Sequence, residues 1–334
     1  MSKDELVKEW VQPVDQSVLW LCLPPRSGGT LLLRLLDSHP QLHNYPSVFG
    51  FDNDKMIWPR PDEIAASPEE LLAGLFERMD FTKFDRVGLF KKSSNMPQKN
   101  YPIYFDSEWF EEIFRDCFVS SANGRGEFNS LFTAFFNSWR NYQNLYFPKK
   151  YVVGHMTMRW AQLPYYTENF WNFTNTYPEG RMLFVARRPD DWMASYIRLG
   201  KATSYSGDPH DAAEFYKAYY KYALELSRDK RFKVINFENL VKHPESILGD
   251  LVEFLGVEWD SKLLFPSFND SPWYPNSSFE RKAQPMIDKD VIGEGESLEG
   301  DDKKAVDTEM WELYRELSRY KGMTAVPNWT GFHS

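Results

Sequence analysis

Arg26, Ser27 and Thr30 surround two adjacent glycines, Gly28 and Gly29, in the stretch PPRSGGT at residues 24–30. A cation, two hydroxyls and backbone that a ligand can approach closely suit an oxyanion, phosphate above all. The apolar run Val18–Leu23 leads into this turn and the leucine-rich run Leu31–Leu36 leaves it, so a helix has to begin near Thr30. A turn from strand into helix aims free N–H groups and the positive end of the helix dipole at one spot. Taken alone, the turn fits an ordinary strand–helix connection as well as an anion nest. It is no Walker A loop, because the chain contains neither Gly-Lys-Ser nor Gly-Lys-Thr, and it lacks the glycine spacing of a dinucleotide fingerprint.

Residues 181–201, RMLFVARRPDDWMASYIRLGK, repeat the arrangement. An apolar strand ends at Arg187 and Arg188, Pro189 stands where a helix start tolerates proline, and Asp190 and Asp191 suit a first helical turn. Ser195 lies eight residues past Arg187, so an arginine and a hydroxyl can reach one anion from two sides. The competing reading pairs the strand-end arginines with Asp190 and Asp191.

Positioning these groups takes a sheet. Four apolar segments, Val18–Leu23, Tyr151–Met156, Met182–Ala186 and Phe232–Phe237, read as core strands. Helical patterns at Asp190–Leu199, Asp211–Ser227, Pro244–Leu255 and Asp302–Tyr320 lie between and after them. The alternation predicts an α/β fold, a three-layer, doubly wound, mostly parallel sheet. Residues from about 45 to 150 break the rhythm with helical runs at Pro68–Met79, Glu108–Val119 and Phe128–Tyr146. They are expected to form a helical insertion over the carboxyl edge of the sheet, within one domain spanning 1–334. In that insertion Tyr101, Tyr104, Phe105, Trp109 and Phe110 are candidates to stack on a sugar or aromatic alcohol, whereas Phe132, Phe135, Phe136, Trp139 and Tyr142 recur at core-helix spacing. The acidic stretch Asp288–Asp302 reads as a mobile surface loop.

A net charge of −9 over 334 residues argues against broad nucleic-acid binding, so any anion site is a local positive pocket on an acidic protein. Hydrophobic content of 42%, with 17% aromatic residues, excludes a disordered chain. Cys22 and Cys117 make no disulfide framework, and the N-terminal MSKDELVKEWVQP has no signal-peptide core. No apolar run approaches the ~18 residues of a membrane span, and the expectation is a cytoplasmic protein.

Pro25-Arg26-Ser27-Gly28-Gly29-Thr30 resembles the 5′-phosphosulfate loop, Pro-Lys/Arg-Ser-Gly-Thr/Ser-Thr, of the sulfotransferases that use 3′-phosphoadenosine 5′-phosphosulfate (PAPS). Arg187 to Ser195 resembles their 3′-phosphate motif, Arg-x-Pro-x-Asp-x-x-x-Ser. Phe232–Asp260 is similar to the family's strand, Glu-x-Leu, helix and Phe-Leu-Gly segment, and YPNSSFERK at 274–282 to a late Asn-Ser-Ser loop of bacterial members. The likeness is closest to bacterial, soluble members and covers 18–46 and 151–322. It implies a P-loop-like fold and in-line transfer of a sulfuryl group from PAPS to an acceptor hydroxyl or amine, with adenosine 3′,5′-bisphosphate leaving and no metal needed. The implied partner is a small-molecule or glycan acceptor, with no nucleic acid and no membrane span.

Carried over residue by residue, the resemblance puts Arg26 in the place of the family's loop lysine, near the bridging oxygen of the leaving phosphate. It puts Ser27, Gly28, Gly29, Thr30 and Leu31 around the 5′-phosphate, and Arg187 and Ser195 on the 3′-phosphate. His155, ending YVVGH, takes the place of the histidine that removes the acceptor proton in cytosolic members, a task suited to neutral imidazole. Departures from the pattern are Val153 for a lysine, Thr157 for a proline and Gly29 for a hydroxyl residue. HPQLHNYPSV, after the first helix, has no carboxylate where another branch keeps its base, which leaves His43 and Asp52 as substitutes ranked below His155. Ser277, Ser278, Arg281 and Lys282 are further candidates to touch the donor. The missing Gly-Lys-Ser/Thr and the lack of a clear Mg²⁺-binding aspartate disfavour a P-loop kinase, while a non-catalytic nucleotide-binding or scaffold protein of the same fold stays open.

Overall fold

The apolar run Ser17–Leu21 forms strand β1 in the middle of a sheet, with every side chain buried. The structure, a computed structural model, describes residues 11–48, 58, 67–70, 104–145, 148–155, 160–202, 208–273 and 286–319. With β2 (Leu42–Val48), β3 (Tyr151–His155), β4 (Arg181–Ala186) and β5 (Phe232–Asn236), β1 builds a five-stranded parallel sheet in the order β2-β3-β1-β4-β5. The helices are α1 (Gly29–Leu36), α2 (Ser107–Cys117), α3 (Arg125–Ser138), α4 (Tyr166–Thr176), α5 (Pro189–Ala202), α6 (Pro209–Leu226), α7 (Phe237–Lys242), α8 (Pro244–Leu255), α9 (Gly300–Ala305) and α10 (Thr308–Arg319).

Period-two alternation along β1 makes the layers. Leu19, Leu21 and Leu23 join a core with α1, α7 and α8, while Val18, Trp20 and Cys22 join a second core with α2 to α6, α9 and α10. This is the expected three-layer α/β arrangement. Among the described residues no helix is long and apolar enough to cross a membrane.

The four expected strands are present, and β2 is an addition. Its sequence LHNYPSV mixes His, Asn, Pro and Ser, so it carries no apolar run to read. At the sheet edge Pro46 needs no ladder partner for a missing N–H, and the pairing with β3 shifts register between Asn44 and Val48. Residues 45–48 therefore belong to the sheet. Helix α2 matches the expected run Glu108–Val119 and α3 the first part of Phe128–Tyr146, since α3 starts earlier and ends at Ser138, whereas Pro68–Met79 lies largely outside the described residues.

Rings proposed for stacking on an acceptor turn out differently. Phe105 and Phe110 are buried in the core with Phe132, Phe135, Phe136 and Trp139, and Trp109 packs under the Arg140 guanidinium at 5.3 Å. Tyr104 alone of the described candidates is exposed, and Tyr101 lies outside the described residues. Burying a Phe is worth roughly 1.5–3 kcal/mol, which explains why an apolar helix face sinks inward when the sheet offers one.

Because the five strands run parallel, the ends of β1, β3, β4 and β5 open on one edge. Strands β2 and β3 lie on one side of β1 and β4 and β5 on the other, the kind of switch point at which open α/β sheets bind ligands.

Candidate active site

At that edge α1 opens with Gly28 as its N-cap, at φ 95° and ψ 12°, and no side chain caps its first turn. This left-handed backbone needs glycine, and Phe237 closes from the far side, so that a Cβ on Gly28 would overlap the Phe237 ring. Arg26 also holds a positive φ, 69°, an uncommon state for a residue with a side chain. Three bonds fix it there. Arg26 Nε donates to Ser195 Oγ at 3.1 Å, Arg187 Nη1 donates to the Arg26 carbonyl at 2.8 Å, and Trp192 Nε1 donates to the Pro25 carbonyl at 2.7 Å.

The two motifs thus meet, and Arg26, Arg187 and Ser195 form one cluster. Arg187 and Ser195 are buried, at 5% and 3% exposure. Burial pulls both arginines below the usual guanidinium range; Arg187 adds to this for Arg26, and Glu294 opposes it for both. Arginine remains cationic even so. Ser27 Oγ and Arg187 Nε are buried with no hydrogen-bond partner among the described residues. A buried polar group left unserved costs about 1–3 kcal/mol, which an anion reaching these two donors would offset.

Arg188 satisfies the ion-pair reading and leaves Arg187 for the cluster. Its guanidinium donates twice to Asp190, at 3.1 and 2.6 Å, and its N–H donates to Glu238 Oε1 at 2.8 Å. Helix α6 fixes the strand end, since the hydroxyls of Tyr216 and Tyr220 both donate to the Arg187 carbonyl, at 2.8 and 2.9 Å.

The stretch Asp288–Asp302 is no loose surface loop. The fully buried Asp191 carboxylate accepts from the Gly293 N–H at 3.0 Å and from the Gly295 N–H at 2.8 Å, and a Cβ on Gly295 would meet Asp190 Cβ at 2.5 Å. The 3₁₀ turn Glu294–Ser297 is thereby pinned to the first turn of α5. Glu294 then reaches Arg187 Nη2 at 3.4 Å and Arg198 Nη1 at 3.3 Å. Glu294 and Arg198 escaped the sequence reading, and Asp191, read there as a first-turn residue or an arginine partner, instead holds the 293–295 backbone; the alternation Gly293-Glu294-Gly295 was the signal available.

His155 ends β3 beside the loop. A Cβ on Gly29 would lie 2.8 Å from His155 Nε2 and 2.6 Å from Leu23 Cδ1, so the second glycine leaves room that the imidazole and the leucine fill. Burial, with the Arg34 cation adding to it, pulls His155 down to about 4, although the residue keeps partial exposure. Thr30 is exposed and Leu31 half-buried on the first turn of α1. His43 stands apart from the cluster in β2, paired with Val152 rather than with the strand end. It is buried, stacks on Phe136 at 4.6 Å, has Nδ1 3.2 Å from the Tyr142 hydroxyl, and is pulled by burial to about 3. Asp52, Thr157, Ser277, Ser278, Arg281 and Lys282 lie outside the described residues.

The sequence profile described as Sulfotransferase family matches residues 24–261 of the chain. Two solved structures share its fold. The sulfotransferase domain from the curacin biosynthetic pathway is 16% identical with a TM-score of 0.54, over 92% of this chain and 99% of its own. The sulfotransferase domain from the Synechococcus PCC 7002 olefin synthase is 17% identical with a TM-score of 0.54, over 93% of this chain and 98% of its own. No curated protein sequence matches the chain.

Proposed function

Because the chain belongs to the sulfotransferase family, we propose that it moves a sulfuryl group from PAPS to a hydroxyl or amine of a small-molecule or glycan acceptor. The observation that carries the donor assignment is the meeting of Arg26, Arg187 and Ser195 beside two buried donors, Ser27 Oγ and Arg187 Nε, that no described group serves. Two anion-binding spots in one crevice suit a nucleotide that bears both a 5′ and a 3′ phosphate.

PAPS supplies an activated sulfuryl group, whose bond to the 5′-phosphate oxygen breaks as the acceptor's bond to sulfur forms. Ser27 and the N–H groups of Gly28, Gly29, Thr30 and Leu31 hold the 5′-phosphate at the start of α1. Arg26 stabilises the negative charge that grows on the bridging oxygen. Arg187 and Ser195 hold the 3′-phosphate, in a pocket dry enough to strengthen each contact. His155, neutral near pH 7, takes the acceptor's proton on the ring nitrogen that faces the loop.

Thermal unfolding with adenosine 3′,5′-bisphosphate against ATP-Mg tests the donor. Bisphosphate at 100 times its Kd is expected to add about 2.7 kcal/mol and raise Tm. A larger shift with ATP-Mg refutes the assignment. Transfer of label from radiolabelled PAPS to a member of a panel of phenols, alcohols and glycans tests the reaction itself.

A further inference from the structure

The carboxylate of Glu294 lies between two guanidinium groups, Arg187 on the end of β4 and Arg198 on α5. Arg198 follows Ser195 by three residues on the same helix, so the two present to one side, toward the strand end that carries Arg187. The Arg26 guanidinium also feels the Glu294 charge.

We propose that Glu294 is an internal occupant of the second anion subsite and Arg198 a further ligand of it, with the 3′-phosphate of the donor replacing the Glu294 carboxylate between Arg187 and Arg198. The inference rests on the donor assignment above. Its physical basis is a carboxylate set between two guanidinium groups by a backbone that is fixed independently of it. Asp191 grips the N–H groups of Gly293 and Gly295, and Ser297 Oγ donates to the Glu294 carbonyl at 2.7 Å, so the turn is fixed. The carboxylate meets Arg187 Nη2 at 3.4 Å and Arg198 Nη1 at 3.3 Å, so it stands where an anion oxygen would meet both guanidinium groups. It is also buried, at 9% side-chain exposure, where a carboxylate needs counter-charge to stay ionised. A phosphate brings more acceptor oxygens and up to twice the charge, and Arg187 Nε remains to be served. Exchange then asks only that the Glu294 side chain turn away while its backbone stays on Asp191. In the absence of a 3′-phosphate the carboxylate occupies the subsite, which raises selectivity for nucleotides that carry one.

Calorimetric titration of the full chain with adenosine 3′,5′-bisphosphate and with adenosine 5′-monophosphate tests this. Wild type should prefer the bisphosphate. Glu294→Gln removes the competing charge and should tighten the bisphosphate about fivefold, the worth of a weak ion pair, and the monophosphate by a smaller factor, through Arg26 alone. Arg198→Gln should weaken the bisphosphate about tenfold, with the monophosphate unchanged. If Glu294→Gln does not fold, Glu294→Asp, which shortens the arm, should tighten the bisphosphate by a smaller factor. Unchanged or weaker bisphosphate binding in the Glu294 variants overturns the occupant role, and an equal loss for both nucleotides in Arg198→Gln overturns the ligand role. A wild type without preference for the bisphosphate overturns the donor assignment itself, before any variant is compared.

Discussion

His155 is held uncharged by its place in the fold, at the end of β3 and against the Gly29 backbone. With burial setting it near about 4, the imidazole is ready to accept a proton throughout pH 5–8. The acid limb of the pH–rate profile should therefore fall near 4 rather than near 6.5, the ordinary histidine value. His155→Ala should lower turnover by about 10²–10⁴-fold, as expected for loss of a general base, and leave bisphosphate affinity intact. Steady-state kinetics beside calorimetry would read both, and near-normal turnover would remove His155 from the role. The same residues show what a sequence can reveal. Arg26, Ser27, Arg187 and Ser195 were legible because each belongs to a short run whose types and spacing suit an anion. Glu294 was not, since it gains meaning only from Arg187, 107 positions away.

Helix α5 is the element that ties the two motifs into one site. Its Trp192 bonds the Pro25 carbonyl, Ser195 accepts from Arg26, Asp191 grips the 293–295 backbone and Arg198 meets Glu294, all within the helix's first three turns. Trp192 is fully buried, and its bond to Pro25 at 2.7 Å holds the loop from below. Trp192→Phe keeps an aromatic ring but removes the donor and part of the buried ring volume, which leaves the Pro25 carbonyl without this bond at a cost of about 1–3 kcal/mol. Denaturant unfolding should show that loss, and calorimetry should show weaker bisphosphate binding. Wild-type values in both measurements would mean that the loop is held by other contacts. Legibility at this scale follows burial. Strands β1, β3, β4 and β5 announced themselves as apolar runs, and α8 matched its predicted limits because Pro244 starts it and Gly256, at φ 59°, ends it. Strand β2 stayed hidden because a sheet edge tolerates the His, Asn and Pro that an interior strand would reject.

For the whole molecule, the burial that builds the site also makes stability depend on pH, through groups of opposite sign. His43 and His155 stay neutral in the fold down to about 3 and about 4, whereas both take up protons near 6.5 once unfolded. Their contribution is complete above 6.5 and is lost as pH falls toward those values. Asp37, at the end of α1, runs the other way. Asn44 Nδ2 donates to it at 3.3 Å and Arg34 lies at 3.9 Å, yet burial outweighs these and raises the carboxyl to about 6, from 3.8. The folded chain thus binds this proton earlier than the unfolded one, so the Asp37 contribution is present below 3.8 and is lost as pH rises through about 6. Between pH 4 and 6 two histidines oppose one aspartate, and these three groups together should lower stability by about 1.4 kcal/mol per pH unit on acidification. Asp37→Asn isolates the opposing part. The gap between 3.8 and about 6 corresponds to about 3 kcal/mol, so the variant should exceed wild type by up to that amount above pH 6 and converge with it near pH 4. Urea midpoints collected from pH 4 to 8 would give the difference curve directly. Parallel curves across the range would show that Asp37 does not change its protonation on unfolding, and that the Asn44 and Arg34 contacts outweigh its burial.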